Sequence, residues 1–348
     1  MFNIGNRNIG KEFRPFIIAE VSANHGGSIE RAKGTILAAK KSGADAVKIQ
    51  TYTPDTMTIN SDKEDFLITD GLWRGYNLYQ LYQEAYTPFE WHRELFEFAK
   101  INNILLFSTP FDETAVDLLD ELNVPAYKIA SFEITDLPLI KYVASKGKPM
   151  FLSTGMSNVN EIGEAVESCY QNGNKNILLF HCISSYPANL SDSSLGDISY
   201  IAQHFDVEVG LSDHTTSNLA SILAVAKGAS AIEKHFKLDE KECGPDSSFS
   251  ILPDQLKSLC SDCALAFEAV KSNKLERGSS ELTNKKFRRS IYFVKNLNKG
   301  QQVRADDIRR IRPGYGLEPK HFDTVVGKVL KVDVERGDAV TFDVLTKE

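Results

Sequence analysis

The feature that most constrains this chain is a series of eight short apolar segments, each of which ends in polar or charged residues. Most of them start roughly 22 to 30 residues apart, and one longer gap separates the second from the third. Segments of this length and composition predict β-strands. They are Phe16–Val21, Ala46–Gln50, Ile104–Thr109, Ala126–Ser131, Pro149–Thr154, Asn176–Cys182, Val207–His214 and Ser230–Phe236.

Helical patterns fill the intervals between these segments. Apolar residues line one face of Ser28–Ser42, Gly43 marks its end, and Phe89–Ile101 and Glu113–Leu122 follow the same pattern. Eight β-then-α units predict an α/β fold, specifically a (β/α)₈ TIM barrel. The alternative is an open doubly wound sheet, but Asn24–Gly27 lacks the G-x-G-x-x-G spacing that usually follows its first strand.

Polar side chains gather at the carboxyl ends of the predicted strands, which is where barrel enzymes build their active sites. The segment from Thr51 to Tyr86 should lie at the same face, and Trp73 and Arg74 in its Gly-flanked loop are candidates for a lid. The strand-end residues are Glu20, Lys48, Gln50, Thr109, Lys128, Ser131, Ser153, His181, Ser212, His214, Glu233 and His235.

Charge and composition narrow the class of protein. The net charge of −7 argues against a general nucleic-acid binder, which needs a basic surface. No apolar run reaches 18 residues and Met1–Lys11 has no apolar signal core, so we expect no membrane association. The five cysteines are odd in number and scattered, which argues against a disulfide framework. These features predict a soluble, cytoplasmic protein.

The chain beyond residue 272 has a different character. We expect a barrel domain at residues 1–272, a polar linker at 273–286 and a small, mostly β domain at 287–348. A weak repeat, Leu297-x-x-Gly300-x-x-Val303 and Val334-x-x-Gly337-x-x-Val340, supports the last assignment. Residues 271–348 carry a net charge of +7 and the first 270 residues carry −14. The basic tail could therefore dock on the acidic barrel domain, either its own or that of a partner subunit. Alternatively, its charges could simply be solvated.

Two histidines and two lysines end predicted strands. His214 and His235 lie on neighbouring strands and could share one divalent ion, with manganese or magnesium favoured because two ligands leave an open shell. Lys48 and Lys128 could provide a Schiff-base nucleophile or an electrostatic clamp for an anionic substrate. The nearby hydroxyls of Thr109, Ser131, Ser153 and Ser212 favour the clamp.

The cysteines carry weaker signals. Cys260-x-x-Cys263 has the spacing of half a metal site, but it has no second pair and lies in an apolar helical stretch, so we expect it to be packing. Cys182 ends a strand without an evident activating base and is expected to be structural.

Ordered motifs along nearly the whole chain give a resemblance to the sialic acid synthase family, with an antifreeze-like C-terminal domain. The motifs are Ile18-Ala19-Glu20-Val21-x-x-Asn24-His25, Lys48-Ile49-Gln50, Ser108-Thr109-Pro110-Phe111-Asp112, Lys128-Ile129-Ala130-Ser131-x-Glu133, Leu152-Ser153-Thr154-Gly155-Met156, His181-Cys182-x-x-x-Tyr186-Pro187, Ser212-Asp213-His214-Thr215, Glu233-Lys234-His235-Phe236, Gly244-Pro245-Asp246, Arg288-Arg289-Ser290 and Arg312-Pro313-Gly314-x-Gly316.

The resemblance implies an enzyme that condenses phosphoenolpyruvate with an N-acetylated amino-sugar aldehyde and depends on a divalent metal ion. It also implies a domain-swapped homodimer, in which the tail of one subunit covers the barrel of the other. It assigns catalysis to Glu20, Lys48, Lys128 and Arg312, metal binding to His214 and His235, and substrate binding to Gln50, Thr109, Phe111, Ser131, Glu133, Ser153, Tyr186, Ser212 and Asp246.

Two further motifs resemble the pseudaminic acid synthase branch of that family. They are Leu72-Trp73-x-Gly75-x-x-Leu78-Tyr79 and Gly244-Pro245-Asp246-Ser247-x-Phe249-Ser250. The branch implies a 2,4-diacetamido-2,4,6-trideoxy sugar, whose methyl group an apolar lid around Trp73 would suit. Alternatives are an N-acetylneuraminate or legionaminic acid synthase of the same family, a Schiff-base aldolase using Lys128, and a non-catalytic sugar-binding protein.

Overall fold

The computed structural model describes residues 1–241, 244–271 and 278–346. The chain divides into two compact units, Met1–Ser272 and Asn273–Glu348. None of the helices in these described ranges has the length and apolar character needed to span a bilayer.

The first unit is a closed barrel of eight parallel strands, as the spacing of the apolar segments predicts. The barrel consists of β3 to β10, with β10 pairing with β3 to close it. The strands of this unit are β1 (Phe2–Ile4), β2 (Arg7–Ile9), β3 (Phe16–Glu20), β4 (Ala46–Thr51), β5 (Leu105–Pro110), β6 (Tyr127–Ile129), β7 (Met150–Ser153), β8 (Ile177–Cys182), β9 (Glu208–Asp213) and β10 (Ala231–His235). The prediction of a TIM barrel is confirmed.

Helices connect the strands and pack on the outside of the barrel. They are α1 (Ile29–Ser42), α2 (Pro54–Met57), α3 (Leu78–Ala85), α4 (Phe89–Ile101), α5 (Glu113–Glu121), α6 (Leu137–Ser145), α7 (Val159–Gln171), α8 (Asp197–Phe205), α9 (Leu219–Ala226) and α10 (Pro253–Val270). The two short helices α2 and α3 lie in the long segment between β4 and α4.

Local chemistry explains where α1 begins and ends. The Ser28 side chain accepts a hydrogen bond from the backbone N–H of Arg31, which caps the first turn. Gly43 adopts a left-handed conformation with φ of 97°, and its N–H bonds to the last turn. The helix therefore runs between the two residues that the sequence pattern indicates.

A short N-terminal hairpin, which the sequence pattern does not reveal, adds to the barrel core. Strands β1 and β2 pair antiparallel, and Phe2, Ile4 and Ile9 pack in one buried cluster with Phe16 and other side chains of the barrel interior. The apolar residues of the hairpin therefore extend the hydrophobic lining of the barrel.

The second unit is small, and its described residues, 278–346, form two strands and several isolated β-bridges. Strands β11 (Ser290–Phe293) and β12 (Ile308–Ile311) pair antiparallel, and the helices are α11 (Ser279–Leu282) and α12 (Phe322–Val325). Part of the predicted linker, residues 273–277, lies outside the described residues, and its remainder contains α11 and a 3₁₀ turn.

The sequence repeat has a structural counterpart in this unit. Leu297 and Val334, the first residues of the two copies, form an antiparallel bridge with two reciprocal hydrogen bonds, each with an N···O distance of 2.9 Å. The last residues, Val303 and Val340, are both buried in the core of the unit. The repeat therefore marks two equivalent segments that pair with each other.

Candidate active site

Alternation along the barrel strands sorts their side chains into layers inside the barrel. Aromatic and aliphatic residues, including Phe107, Phe151 and Phe180, fill the lower part. Two residues further along each strand come the more polar side chains, such as Thr109 after Phe107 and Lys128 after Ala126, because every second residue of a strand faces the same side. The upper part of the barrel therefore holds a buried polar layer at the carboxyl ends of the strands.

Two lysines and two glutamates form the centre of this layer. Lys48 Nζ lies 2.9 Å from Glu20 Oε2 and 3.6 Å from Glu233 Oε1. Lys128 Nζ donates to both oxygens of Glu233, at 2.9 and 3.1 Å. All four side chains are almost completely buried. The Glu233 carboxylate accepts hydrogen bonds from Lys128 and forms a longer ion pair with Lys48. The two lysines bring positive charge to the centre of the layer, where they could bind an anion.

The two carboxyl groups have opposite pKa shifts. Burial tends to raise both values, but Lys128 and Lys48 outweigh it at Glu233 and hold the pKa of that carboxyl below its usual range. At Glu20 burial prevails over the attraction of Lys48, and the pKa is raised. Glu233 is therefore the ionised partner of the lysines, and Glu20 binds a proton more readily.

The two lysines also differ. Burial lowers the pKa of Lys128, against the attraction of Glu233. For Lys48 the two carboxylates outweigh the effect of burial and raise the pKa. Lys48 is therefore the more firmly charged of the two cations.

Hydroxyl groups predicted to bind substrate surround the four charges. Lys48 Nζ donates to Thr109 Oγ1 at 3.1 Å, and Ser212 Oγ donates to Glu233 Oε1 at 3.1 Å. Ser153 Oγ is buried without a hydrogen-bond partner among the described residues. An unsatisfied buried hydroxyl is costly, so Ser153 has the capacity to bind a polar ligand group.

The remaining predicted hydroxyl, Ser131, lies at the start of a 3₁₀ turn after β6. Its Oγ accepts a hydrogen bond from the backbone N–H of Gly155 at 3.2 Å. A Cβ at Gly155 would lie 2.8 Å from the same oxygen and still closer to Ser184 Oγ, so a larger residue there would force both serine side chains to move.

Gln50 links the polar layer to the loop after β3. Its Nε2 donates to Glu20 Oε1 at 3.3 Å and to Ser22 Oγ at 2.8 Å. The amide thereby orients the Glu20 carboxyl group from the side opposite Lys48.

The two histidines predicted to bind metal lie above this layer, with ring centroids 5.4 Å apart. His214 Nδ1 donates to the carbonyl oxygen of Ile183 at 2.9 Å, which leaves Nε2 with a lone pair in the neutral ring. Burial lowers the pKa of His235 well below its usual value, with His214 and Lys48 adding to the effect. Its Nδ1 is buried without a hydrogen-bond partner in the described part of the chain. Both rings therefore have the chemistry of metal ligands.

No group of three or more His, Cys, Asp or Glu side chains in the described ranges is arranged as a complete metal cage. The two histidines would thus form an open site, in which water or substrate oxygens supply the other ligands. Asp246 is the nearest acid to His235, with Oδ2 3.9 Å from Nδ1. It also accepts from the backbone N–H of Ala23 at 3.4 Å.

Aromatic rings enclose the histidines on the outer side. The Tyr186 ring centroid lies 4.3 Å from that of His214 and 5.2 Å from that of Phe249. Phe249 in turn lies 4.8 Å from His235. Burial raises the pKa of the Tyr186 hydroxyl, which therefore stays protonated. These rings form an apolar wall beside the two imidazoles.

The two other predicted substrate-binding residues of the barrel lie after β5 and β6. Phe111 packs against Tyr52, with ring centroids 5.2 Å apart. Glu133 has a buried Oε2 without a hydrogen-bond partner among the described residues, and burial raises the pKa of this carboxyl to about 7.

The last predicted catalytic residue, Arg312, belongs to the second unit. It directly follows β12, and its side chain is exposed.

The cysteines differ in their surroundings. Cys263 is buried in the core on α10 and Cys260 packs beside it, consistent with packing residues. The sequence shows no activating base for Cys182. In the structure, however, its Sγ lies 3.9 Å from His214 Nδ1. This neighbour lowers the pKa of the Cys182 thiol to about 7 against the effect of burial.

Glu233 is one of the predicted strand-end residues, but no role was predicted for it, and Phe249 was not predicted to belong to the site. A signal for Glu233 is its spacing of two residues from His235, which places both on the inner face of β10. Lys234, between them, faces outward and pairs with Asp213 at 2.8 Å. No comparable pattern marks Phe249, which lies in a 3₁₀ turn after the strand.

Fold and site together define a (β/α)₈ barrel with a charged site at the carboxyl ends of its strands. A model of the NeuB family matches residues 35–274, and a model of the SAF domain matches residues 288–346. The chain belongs to the NeuB family, and the family resemblance in the sequence is confirmed.

Individual relatives agree with this assignment. A pseudaminic acid synthase of Campylobacter jejuni is 44% identical over 97% of this chain and 98% of its own length. An N,N'-diacetyllegionaminic acid synthase of Legionella pneumophila is 35% identical, covering 96% and 95%. The crystal structure of an N-acetylneuraminic acid synthetase from Leptospira borgpetersenii, in complex with citrate, matches with a TM-score of 0.74 and 32% identity, over 81% of this chain and 94% of that one.

Proposed function

We propose that this chain is a pseudaminic acid synthase. It would condense phosphoenolpyruvate with 2,4-diacetamido-2,4,6-trideoxy-altropyranose and water, giving pseudaminic acid and phosphate. The observation that carries the proposal is the buried Lys48–Glu20–Glu233–Lys128 cluster, in a chain that is 44% identical to a relative with this activity. The barrel domain would span residues 1–272, the linker 273–286 and the C-terminal domain 287–348, in a cytoplasmic enzyme.

Phosphoenolpyruvate would bind in the polar layer. Lys48 and Lys128 supply two positive charges for its phosphate and carboxylate, and Thr109, Ser131, Ser153 and Ser212 supply hydrogen bonds. Glu233 forms ion pairs with both lysines, and it accepts hydrogen bonds from Lys128. An anionic substrate would take over part of this role, because it offers oxygens to the same donors.

The donor set at His214 and His235 fits a divalent ion such as Mn²⁺ or Mg²⁺, given the lone pairs described above and the open shell. When bound there, the ion would supply Lewis-acid polarisation of the sugar's aldehyde oxygen. Asp246 would accept from a substrate hydroxyl or amide beside His235.

The chemistry joins C3 of phosphoenolpyruvate to the aldehyde carbon of the open-chain sugar. The aldehyde oxygen gains a proton, and Glu20 is the candidate donor because Gln50 and Lys48 hold its carboxyl group in place. Water adds at C2 of the former phosphoenolpyruvate and loses a proton, and the C–O bond to phosphate then breaks to leave the keto acid. Gln50, Phe111, Glu133 and Tyr186 would position the sugar.

A comparison of three sugars tests the proposed substrate. We expect the highest kcat/KM with the trideoxy altrose derivative, and lower values with its legionaminate-branch counterpart and with N-acetylmannosamine, each at the same phosphoenolpyruvate concentration. A preference for N-acetylmannosamine would assign the chain to the neuraminate branch instead. Covalent trapping of substrate on Lys128 by borohydride, with activity independent of metal, would support the aldolase alternative.

We also propose a homodimer in which Arg312 of the partner subunit completes each barrel mouth. The guanidinium is permanently charged and suits carboxylate or amide oxygens of the sugar or the intermediate. Mixing Lys128→Ala with Arg312→Ala subunits tests this idea, because a mixed dimer with tails in trans has one mouth with both lesions and one with neither. Activity should reappear after verified subunit exchange. No recovery would mean that Arg312 acts within its own subunit or is dispensable.

A further inference from the structure

A two-stranded turn in the segment between α2 and α3 presents Trp73 at its tip. Leu67 and Asn77 form an antiparallel bridge, and Ile68 exchanges backbone hydrogen bonds with Gly75 and Tyr76, at 2.8 and 2.9 Å. Gly75 has φ of 94°, a conformation that glycine adopts without strain. The turn is therefore held by its own backbone.

Trp73 connects this turn to the wall of the active site. Its Nε1–H donates to the carbonyl oxygen of Pro245 at 3.1 Å, next to Asp246. Its ring centroid lies 5.5 Å from that of Tyr186, which packs on His214 with its centroid 4.3 Å away. Trp73, Tyr186 and His214 thus form a continuous row from the outer turn to the proposed metal ligands.

The direction of the row corresponds to the direction of the sugar. The aldehyde carbon must meet phosphoenolpyruvate beside the lysines, so the far end of the open chain must extend toward the outer end of the site. The last carbon of that chain, C6, then approaches the aromatic turn rather than the polar layer.

The indole offers only apolar surface to a group placed there. Tryptophan has a single polar atom, the Nε1–H donor, and in this structure Pro245 already accepts from it. A hydroxyl at C6 would lose its hydrogen bonds to water on burial, and Trp73 offers no replacement. A methyl group has no hydrogen bonds to lose.

We propose that Trp73 is a specificity-determining residue that selects a methyl over a hydroxymethyl group at C6 of the amino sugar. This inference rests on the proposed synthase function and adds the residue and the substituent that decide the choice of sugar. The Pro245 hydrogen bond sets the orientation of the indole, and Tyr186 supports its inner face.

Two sugars that differ by one oxygen test the proposal: 2,4-diacetamido-2,4,6-trideoxy-altrose and its 6-hydroxy counterpart. We expect wild-type kcat/KM to favour the methyl sugar by about 10- to 100-fold, the scale for a hydroxyl in an apolar pocket. Trp73→Gln should lower this ratio at least about fivefold, because the new amide can pair with the hydroxyl. Trp73→Phe should largely keep the ratio, since the wall stays apolar.

Leu72→Ala, an exposed neighbour in the same turn, is the matched control and should leave the ratio unchanged. Equal loss of activity on both sugars in Trp73→Gln, with the ratio preserved, would overturn the proposal and reduce Trp73 to a structural role. That outcome differs from failure of the proposed function, in which the wild-type protein would release no phosphate with either sugar and both claims would fall.

Discussion

The lower and upper halves of the barrel interior are built from the same strands but hold different kinds of side chain. In the lower half, Phe151 packs against Phe16, Phe107 and Phe180, with ring centroids 5.4 to 6.4 Å apart. In the upper half, buried lysines and glutamates replace these rings. The boundary is sharp, because Lys128 Nζ lies only 5.0 Å above the Phe180 ring.

The difference shows how stability and function are divided along each strand. The lower half gains free energy by removing apolar surface from water. The upper half holds charges in a dry site, where each is costly unless it is paired. We therefore expect substitutions in the lower half to change folding and substitutions in the upper half to change chemistry.

The largest expected effect is on folding. Phe151→Ala should lower the free energy of unfolding by about 3–5 kcal/mol, because it leaves a cavity among the three remaining rings. Urea unfolding measures the loss, and kcat per folded molecule should stay unchanged below the transition. A strong loss of kcat without loss of stability would contradict the division between the halves.

In the upper half, Lys128→Met should reduce kcat/KM for phosphoenolpyruvate by at least about 10²–10³-fold, because it removes a charge that would stabilise the substrate's anionic groups. Lys234→Met is the matched control. Lys234 is an equally buried lysine that pairs with Asp213 outside the barrel interior. This control should lose stability but keep its kcat. Equal losses of kcat/KM in both variants would contradict the account, because they would show that loss of any buried lysine reduces activity.

The histidines provide a test at the rim of the upper half. His235→Ala, or removal of divalent ions by a chelator, should lower kcat about 10²-fold, the scale of losing one electrostatic stabiliser. Isothermal titration with Mn²⁺ should show weakened binding in the variant. His92→Gln is a control for a buried histidine outside the site, since His92 bonds to Thr51 and the backbone. Full activity in excess chelator would contradict the metal role.

Glu133 should show the cost of burying a carboxyl group, as a dependence of stability on pH. Its folded-state pKa is raised to about 7, so below the unfolded value near 4.5 the group is protonated in both states and costs nothing. The cost grows as pH rises from 4.5 to 7 and is complete above 7. Glu133→Gln should therefore stabilise the protein at pH 8, on the order of 2 kcal/mol, and hardly at pH 5.

Urea unfolding at the two pH values measures this effect, with Glu164→Gln on the exposed side of α7 as the control. If Glu133→Gln changed the free energy of unfolding equally at pH 5 and pH 8, Glu133 would carry no pH-dependent cost of burial, and the prediction would be wrong.

Much of the fold could be predicted because the barrel strands are continuous apolar segments that end in polar residues. Ile104–Thr109, for example, differs from β5 by one residue at each end. The hairpin of β1 and β2 escaped prediction because three-residue strands are too short to show a period. Its function in the core depends on contacts with distant parts of the chain, which no local pattern records.

The sequence could predict which polar side chains end the strands, but not which of them contact one another. Strand-end position identified Lys48 and Lys128, whereas their pairing with Glu233 depends on which face each strand turns inward. The Cys182–His214 contact joins two strands and has no local signature. The Trp73–Pro245 bond joins residues 172 positions apart. Sequence patterns indicate which side chains reach the mouth, and the register of the closed barrel decides which of them meet.

The central claim is that the upper half supports condensation of phosphoenolpyruvate with cleavage of its C–O bond. The most direct measurement uses phosphoenolpyruvate labelled with ¹⁸O in the bridging position, together with the trideoxy sugar, and follows the label by ³¹P NMR. We predict that one labelled phosphate forms for each nine-carbon keto acid and that no label enters the acid. Label in the organic product, or phosphate released without a new carbon–carbon bond, would contradict the account.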